Sequence, residues 1–200
     1  MNPDFWNEKF LAATNLYGVE PNTYFKDKID QLSPGKLLLP GEGEGRNALY
    51  AASCGWSIEA IDQSEVAKNT ALSHAKKFGL SFNYHVCDIQ KFIPEIACYD
   101  ALGLIYFHLP KDIIETVYTK LAKSLKTGGK LIVEGFGKNQ LQYTSGGPKN
   151  IDMLYELKNL KSMLPNFYWE EEFDGIIELN EGTGHVGKAH VIRLLGIKIS

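Results

Sequence analysis

The sequence predicts an α/β fold with a doubly wound sheet of seven strands, mostly parallel, that ends in an antiparallel C-terminal hairpin strand. Three observations predict this fold. From residue 36 onward, short apolar segments alternate with amphipathic helical segments. A turn with three glycines follows the first apolar segment. Near residues 180–187, two strand-like segments are joined by a connection too short for a parallel crossover, so we expect them to pair antiparallel.

The glycine turn is the feature that organises the other elements. Lys36–Leu39 is a short apolar run between turn residues, which is typical of a central parallel strand. A helix predicted from Glu44 to Cys54 follows the turn. Glycines let a backbone approach a ligand closely, and the free N–H groups at a helix start favour phosphate-like or polar ligands. The predicted binding residues here are Gly41, Glu42, Gly43, Gly45, Arg46 and Asn47.

The second predicted strand, Ser57–Asp62, ends in an acidic residue that suits the hydroxyls of a ribose. Two kinds of nucleotide site are compatible with these motifs. Gly41-x-Gly43-x-Gly45 suits a nucleoside-binding turn, whereas Gly43-x-Gly45-x-x-Ala48 also satisfies the dinucleotide fingerprint. Both kinds of site require a carboxylate at the end of the second strand, where Asp62 stands. Gln63, beside it, is a further predicted binding residue.

The later elements continue the alternation of strands and helices. A helix from Ser64 to Phe78 is expected to bury one stripe of side chains and to stop at Gly79. The stripe consists of Ala67, Ala71, Ala75 and Phe78. Further strands are predicted at Phe82–Cys87, Cys98–Phe107, Lys130–Phe136, Phe167–Glu178 and Lys188–Leu195. Further helices are predicted from Pro110 to the glycine pair at 128–129, and over 153–164.

The chain is interpreted as a single domain over residues 1–200, with a helical lid at 1–34 before an α/β core at 35–200. In the lid, Trp6 and Phe10 share one helix face, and Asn22 can cap a helix that carries Phe25 and Ile29. An aromatic segment before the first strand can also close over a ligand.

Composition excludes several classes of protein. The 21 basic and 24 acidic side chains give 21 − 24 = −3, so no positive field recruits nucleic acid or an anionic membrane. The cysteines, Cys54, Cys87 and Cys98, are three in number and lack metal-ligand spacing, which indicates free thiols in a reducing compartment. The start of the chain has no signal-peptide pattern, and no apolar run is long enough to span a bilayer. We therefore expect a cytoplasmic protein that binds no metal, nucleic acid or membrane; its oligomeric state is not readable from the sequence.

Ligands of open α/β sheets lie beyond the carboxyl ends of the strands, and several candidate residues fall there. Asp88 follows the third strand and suits the exocyclic amine of a purine, with Ile89 packing on the ring. Tyr106 and His108, the candidate catalytic residues, follow the fourth strand, where a substrate would meet a cofactor. His108 is the candidate for deprotonating or orienting that substrate, and a histidine bonded to the backbone beside the site is the alternative.

Together these motifs resemble the class I S-adenosylmethionine-dependent methyltransferases, most closely the tellurite-resistance and thiol methyltransferase-like group. The resemblance covers most of the chain and is carried by Gly41–Tyr50, Ala60–Ser64, Cys87–Ile89 and Tyr99–Pro110, with Tyr17–Asn22 before them. It implies a Rossmann-like fold, S-adenosyl-L-methionine as cofactor, and in-line transfer of a methyl group to a small-molecule acceptor. It also implies that the glycine turn holds the methionine portion, Asp62 the ribose, and Asp88 with Ile89 the adenine, with Ile105 also in the cofactor site.

The chain departs from this family at one position. Leu39 stands two places before Gly41, where the family carries an acidic residue that helps to anchor the methionine amino group, and Glu42 or Glu44 is the candidate replacement. Two other functions stay open: an NAD(P)-dependent oxidoreductase that uses the same turn, and a non-catalytic nucleoside-binding module. The loop from Gln140 to Lys149, with Tyr143 and Ser145, is expected to line the acceptor pocket, and the acceptor itself stays open between tellurite, a thiol and another metabolite.

Overall fold

The computed structural model of the chain describes residues 3–13 and 15–200. Six α-helices and seven β-strands lie within these ranges. In chain order they are α1 Pro3–Ala12, α2 Thr23–Ile29, β1 Lys36–Pro40, α3 Arg46–Ser53, β2 Ser57–Asp62, α4 Glu65–Lys77, β3 Asn83–Val86, β4 Tyr99–Ile105, α5 Lys111–Ser124, β5 Leu125–Phe136, α6 Leu157–Met163, β6 Phe167–Glu181 and β7 His185–Lys198. Short 3₁₀ helices occupy Lys138–Gln142 and Ile151–Met153.

All seven strands form one sheet in the order β3-β2-β1-β4-β5-β7-β6. The first five strands are parallel, and β7 runs antiparallel to both β5 and β6. The chain order reverses between β1 and β4, which is the point at which such sheets open a crevice for a ligand. The fold class predicted from the sequence is therefore confirmed, including the antiparallel C-terminal hairpin.

Both faces of the sheet are covered, which explains why its central strands are almost wholly apolar. In β1, Leu38 packs into the core between the sheet and α5, whereas Leu37 and Leu39 pack on the opposite side, where α2 and α3 lie. This alternation follows from the two-residue period of a strand. Parallel strands buried on both faces carry continuous hydrophobic runs for the same reason.

Several boundaries differ from the predicted ones. Helix α5 ends at Ser124, and β5 begins at Leu125, so the glycine pair at 128–129 lies within β5 rather than ending the helix. The predicted helix over 153–164 is a 3₁₀ turn followed by the shorter α6. In α4, the three alanines of the stripe are buried, but Phe78 is 72% exposed because the helix ends before it, where Gly79 takes φ +67°.

The N-terminal segment is fastened at two points. Helix α1 packs against α4. After this helix, the carboxyl group of Glu44 holds the chain in place by accepting the backbone N–H groups of Asn15 (2.9 Å) and Leu16 (2.8 Å). The carbonyl of Leu16 in turn accepts N–H groups of Thr183 and Gly184 from the β6–β7 turn. Residues 1, 2 and 14 of the predicted lid lie outside the described residues. Within the described ranges, no helix is long and apolar enough to cross a membrane.

Candidate active site

A cavity of about 600 Å³ opens at the carboxyl ends of the parallel strands, beside the strand-order reversal. Its volume is in the range typical of small-molecule sites. The glycine turn and the end of β2 form one wall, and aromatic side chains from the N-terminal segment and from the ends of β4 and β5 form the other. The lining includes Trp6, Phe10, Tyr17, Gly41, Glu42, Gly43, Arg46, Asn47, Asp62, Gln63, Ile89, Ile105, Tyr106, His108, Phe136, Lys149, Met153 and His185.

The glycine turn needs glycine for two physical reasons. Gly41, Gly43 and Gly45 have φ values of +69°, +60° and +87°, in the left-handed region that side chains disfavour. Space is also lacking, because a β-carbon on Gly41 would lie 2.5 Å from the ring of Phe107, and one on Gly45 would lie 2.6 Å from the side chain of Ala71. At Gly41 and Gly43 the turn therefore exposes backbone to the cavity.

Asp62 fixes the shape of this wall from the end of β2. One carboxyl oxygen accepts the backbone N–H of Gly43 at 3.0 Å, and the other accepts the N–H of Ser64 at 2.9 Å. Burial raises the pKa of Asp62, and these backbone donors oppose the rise. Each carboxyl oxygen can accept more than one hydrogen bond, so the group can hold the turn and still bind a hydroxyl in the cavity.

The two candidates for the missing acidic anchor have different surroundings. Glu44 lies outside the cavity, and both of its oxygens bind the backbone of the loop at residues 15–16. Glu42 lines the cavity, and its Oε1 accepts the N–H of Ala48 in the first turn of α3 at 2.7 Å. Burial raises the pKa of Glu42 to about 7, against the opposing effects of the Ala48 N–H and the Arg46 guanidinium.

Arg46 and Asn47, the first residues of α3, connect the turn to distant parts of the chain. Arg46 donates to the carbonyl of Tyr17 at 3.0 Å and to Oε2 of Glu181 at 2.9 Å. The side-chain oxygen of Asn47 accepts the backbone N–H of Asn22 at 2.9 Å. The amide of Asn22 donates onward to Glu181 at 3.0 Å and to Glu134 at 2.8 Å. This network places the C-terminal hairpin against the start of α3.

Tyr106 has an uncommon backbone conformation at the end of β4. Its φ is +50°, which is rare outside glycine, asparagine and aspartate and costs of order 1–3 kcal/mol. Its hydroxyl donates to the fully buried Glu134 at 2.8 Å, and Arg193, opposite Glu134 in the sheet register, donates to the other oxygen of that carboxyl group. The ring of Tyr106 thus forms part of the cavity wall, with its centroid 4.7 Å from that of Phe136.

Both ring nitrogens of His108 are engaged by the backbone. Nδ1 lies 2.8 Å from the carbonyl oxygen of Met153, so this nitrogen carries the proton, and Nε2 accepts the N–H of Phe136 at 3.0 Å. Burial lowers the pKa of His108 to about 4. The ring is therefore a neutral brace between two segments, and neither nitrogen can take a proton from a ligand without losing one of these bonds. The predicted role as a base does not fit this geometry, whereas the alternative, a backbone-bonded histidine beside the site, does.

Of the other predicted site residues, most line the cavity and two do not. Gln63, Ile89 and Ile105 line the cavity with Asp62, as do Arg46 and Asn47. Asp88 does not line it, although its neighbours Cys87 and Ile89 do, because its carboxyl group accepts the N–H of Gln90 and caps the following turn. Gly45 lies behind the turn, where it starts α3.

The predicted acceptor loop contributes less than expected. Lys149 lines the cavity, but Tyr143 and Ser145 do not. The hydroxyl of Ser145 is buried, where it donates to the carbonyl of Lys188 and accepts from Gln140. This part of the loop fastens the C-terminal hairpin instead of facing a ligand.

Tyr17, Phe136, Met153 and His185 are among the cavity residues that were not predicted as site residues. They come from four separate parts of the chain and meet at the cavity only through tertiary packing. His185 is the first residue of β7 and is 4% exposed. No group of three or more potential metal ligands is clustered within residues 3–13 and 15–200.

Comparison with known structures shows the same fold. TehB from Haemophilus influenzae superposes with a TM-score of 0.75 at 18% identity, over 98% of this chain and 66% of TehB, so the chain spans slightly less than two thirds of that protein. Magnesium protoporphyrin IX methyltransferase (ChlM) from Synechocystis PCC 6803, solved with S-adenosylhomocysteine bound, has a TM-score of 0.72 at 15% identity over 98% of this chain and 97% of its own. The same enzyme solved with S-adenosylmethionine gives 0.70 at 15% identity, over 98% and 94%.

A family model also matches part of the chain. Comparison with curated proteins gives no match. Residues 38–129, from β1 through the glycine turn to the start of β5, match the family model described as a methyltransferase domain. The matched segment carries the glycine turn and Asp62, and the seven-stranded mixed sheet around it has the fold of the methyltransferase structures compared above.

Proposed function

We infer that this protein transfers a methyl group from S-adenosylmethionine to a small-molecule acceptor by in-line displacement. The observation that carries this inference is one continuous cavity, which joins the glycine turn and Asp62 on one wall to an aromatic pocket around Tyr106 on the other. S-adenosylmethionine supplies a methyl group on a sulfonium, a leaving group that needs no acid. The protein therefore has to bind, align and exclude water.

The residues of the first wall fit the cofactor. The glycine turn offers exposed backbone to the methionine portion, and Asp62 offers a carboxyl group at the end of β2 for the ribose. Ile89 and Ile105 give apolar surface for the adenine. Oδ1 of Asp88 accepts the N–H of Gln90, so Oδ2 is the oxygen for the adenine amine once the side chain turns toward the cavity. Glu42 replaces the acidic residue that the family carries at the position of Leu39. It lies in the cavity, and its carboxyl group is close to ionisation at neutral pH.

The N-terminal segment, residues 1–34, serves as the lid of a single domain. Trp6 and Phe10 line the cavity with their rings stacked at a centroid distance of 5.7 Å. Covering the reacting atoms removes water and holds two reactants in register, and such alignment can contribute ~7 to 11 kcal/mol in well-oriented reactions. Tyr106 contributes a wall of the acceptor pocket, and His108 positions the segments at Met153 and Phe136 rather than acting as a base.

The acceptor is a small molecule rather than a nucleic acid. Aromatic side chains line the cavity, and the formal charge of −3 means that the chain as a whole carries no excess positive charge to attract a phosphate backbone. The sheet also differs from an all-parallel dinucleotide-binding sheet, because β7 is inserted antiparallel between β5 and β6.

The first experiment measures thermal unfolding of the protein with S-adenosylmethionine, S-adenosylhomocysteine and NADH, each added separately. A ligand at 100 times its dissociation constant adds ~2.7 kcal/mol, which corresponds to a shift of roughly 5 to 11 °C for a chain of this size. We expect shifts with the two sulfur compounds alone. A shift with NADH alone would overturn the proposal in favour of an oxidoreductase.

The second experiment separates an enzyme from a binding module. Methyl-labelled S-adenosylmethionine is incubated with the protein and a panel of thiols, phenols, carboxylic acids and tellurite, and labelled products are detected after separation. Label in a product is the expected result. Binding of the sulfur compounds without transfer to any acceptor would indicate a non-catalytic module.

A further inference from the structure

A second histidine lies in the aromatic part of the cavity and differs from His108 in its bonding. His185, at the start of β7, is in ring contact with Tyr17 and Tyr106, at centroid distances of 4.5 Å and 4.4 Å, and with the edge of Phe136 at 5.2 Å. Its Nδ1 lies 3.4 Å from Oε2 of Glu181. Glu181 and His185 are the last register pair of the β6–β7 hairpin, which explains why their side chains meet.

Two other side chains hold the carboxyl group of Glu181 in place beside the histidine. Its Oε1 accepts from Asn22 at 3.0 Å, and its Oε2 accepts from Arg46 at 2.9 Å. Burial alone raises the pKa of Glu181, but the hydrogen bond from His185 and the charge of Arg46 outweigh that effect and lower it. Glu181 therefore stays ionised at neutral pH and acts only as an acceptor toward Nδ1.

This carboxylate determines the tautomer of His185. A neutral imidazole has one N–H, and an ionised carboxylate draws that N–H to Nδ1, so the lone pair is on Nε2. Nε2 has no hydrogen-bond partner among the described residues, and, unlike Nδ1 of His190, it is not sealed in the interior. His185 lines the cavity, so the lone pair is available to a ligand there.

Burial and two nearby cations keep His185 neutral before a ligand arrives. Burial is the largest effect and lowers its pKa; Arg46 on α3 and Lys9 on α1 lower it further, and Glu181 opposes them. Of the other titratable groups, Tyr17 and Tyr106 are in contact with the ring, burial raises the pKa of Tyr106 and keeps it uncharged, and the nearby His108 is neutral as well. A neutral histidine with a carboxylate behind it and a free nitrogen in front is the arrangement of a general base.

We propose that His185, oriented by Glu181, removes the proton from an acceptor that carries a weakly acidic S–H or O–H group on an aromatic or apolar body. The proposal rests on the methyltransferase function inferred above. The acceptor's X–H bond breaks, its proton moves to Nε2, and the resulting imidazolium is stabilised by Glu181. The electron pair left on X forms the bond to the transferred methyl group, whose former bond to sulfur leaves its pair on sulfur. His185 then returns the proton to water.

The surroundings favour a thiol or phenol over an oxyanion. Arg46, the cation nearest to Glu181, already donates to Glu181 and to the carbonyl of Tyr17. Lys9 donates to the hydroxyl of Tyr17 at 3.0 Å and lies 4.9 Å above the ring of Trp6. Lys149 is exposed at the rim. The inner pocket thus offers aromatic surface and a base, which an already deprotonated oxyanion does not use.

The first test measures ionisation without turnover. The probe is 4-nitrophenol, whose phenolate is yellow, added at slightly acidic pH to protein loaded with S-adenosylhomocysteine. The wild-type protein and His190→Gln should raise the phenolate absorbance, and His185→Gln should not. His190 is the matched control because it is also a buried histidine of β7 paired with a carboxylate, Asp174 at 2.8 Å, but it does not line the cavity. Equal phenolate absorbance in wild type and His185→Gln, or none in wild type, would overturn the proposal.

The second test compares two thiol acceptors in methyl transfer. Benzyl mercaptan is protonated at neutral pH, whereas pentafluorothiophenol is already a thiolate. His185→Gln should lower kcat/KM for benzyl mercaptan by roughly 10²- to 10⁴-fold, the usual contribution of a general base, and leave that for pentafluorothiophenol nearly unchanged. Equal losses of kcat/KM with both thiols would contradict the proposal. So would the finding that tellurite is the main acceptor and that His185→Gln does not affect its methylation.

The methyltransferase function and the role of His185 can be tested separately. Circular dichroism and the affinity for S-adenosylhomocysteine establish that each variant is folded and loaded. If the wild-type protein does not bind S-adenosylhomocysteine, the proposed function fails. If it binds and transfers methyl groups but His185→Gln retains both the phenolate signal and benzyl mercaptan turnover, only the role of His185 fails.

Discussion

Oε1 of Glu42 accepts the backbone N–H of Ala48 at 2.7 Å, so a carboxyl group from the glycine turn caps the helix that follows it. Gly45, the residue at the cap position, has no side chain for this purpose. The same carboxyl group lines the cavity and has a pKa raised to about 7. Glu42 therefore combines a structural bond with a titration close to neutral pH.

We expect cofactor affinity to depend on the ionisation of Glu42. If the methionine ammonium pairs with the carboxylate form, protonation below pH about 7 weakens binding, and affinity for S-adenosylhomocysteine should be about tenfold lower at pH ~6 than at pH ~8. Calorimetric titration at both pH values checks this. Glu42→Gln should bind weakly at both and lose the pH dependence; an unchanged slope in that variant would show that another group is responsible.

Asp62→Ala should weaken binding of S-adenosylhomocysteine by at least tenfold. The substitution removes the carboxyl group assigned to the ribose and also the acceptor for the N–H groups of Gly43 and Ser64. Isothermal titration measures the affinity, and circular dichroism verifies the fold. Asp62→Asn retains an acceptor oxygen for the turn, so it should fold like the wild type and still bind more weakly. Unchanged affinity in folded Asp62→Ala would contradict the ribose assignment.

His108 should make the protein less stable in mild acid. Its pKa is about 4 when folded and about 6.5 when unfolded, so the unfolded chain binds the extra proton between these values. Its stabilising contribution is complete above pH ~6.5 and is lost as the pH falls toward 4, by about 3 kcal/mol in total. Urea unfolding of wild type and His108→Gln at several pH values checks this.

In that experiment, the variant should show a shallower fall in the free energy of unfolding on acidification. Comparing the two slopes isolates His108, because Glu42, whose raised pKa acts in the opposite direction, is present in both proteins. His74→Gln, a substitution on α4, is the control for loss of a histidine outside the cavity. Identical slopes in wild type and His108→Gln would contradict the buried neutral state.

Gly182→Ala should destabilise the protein more than Gly79→Ala does. Both glycines have similar left-handed backbones, with φ +59° and +67°, so both substitutions incur the same conformational cost. Only Gly182 is crowded, since a β-carbon there would lie 2.2 Å from the backbone nitrogen of Gly18, whereas nothing lies within 4 Å at Gly79. Overpacking adds about 1–3 kcal/mol, which thermal unfolding resolves. Equal melting temperatures would show that the loop yields freely.

The features that local sequence predicts are those set by short-range chemistry. Alternating apolar runs predicted the sheet, and the glycines with Asp62 predicted one wall of the cavity, because turn, strand end and helix start are neighbours in the chain. Glu181 and His185 could not be found in this way. They reach the site only because the hairpin turn packs on the loop around Leu16, a contact between opposite ends of the sequence.

For His108, the sequence predicts the position but not the hydrogen-bond partners. Its position after β4 was predicted correctly, since it lines the cavity. Its chemistry depends on the N–H of Phe136 and the carbonyl of Met153, which arrive from β5 and a later 3₁₀ turn. A histidine's role is determined by the partners of its two nitrogens, and a sequence motif specifies neither.

The position of β7 between β5 and β6 has a consequence for the order of folding. Strand β6 pairs only with β7, so it has no place in the sheet until β7 has been synthesised. During translation, a nascent chain can assemble the five parallel strands and the glycine turn, and hence a half-site without the aromatic wall. Glu181 and His185 join it only when the β6–β7 hairpin docks, an arrangement that delays full function until the ribosome has delivered β7.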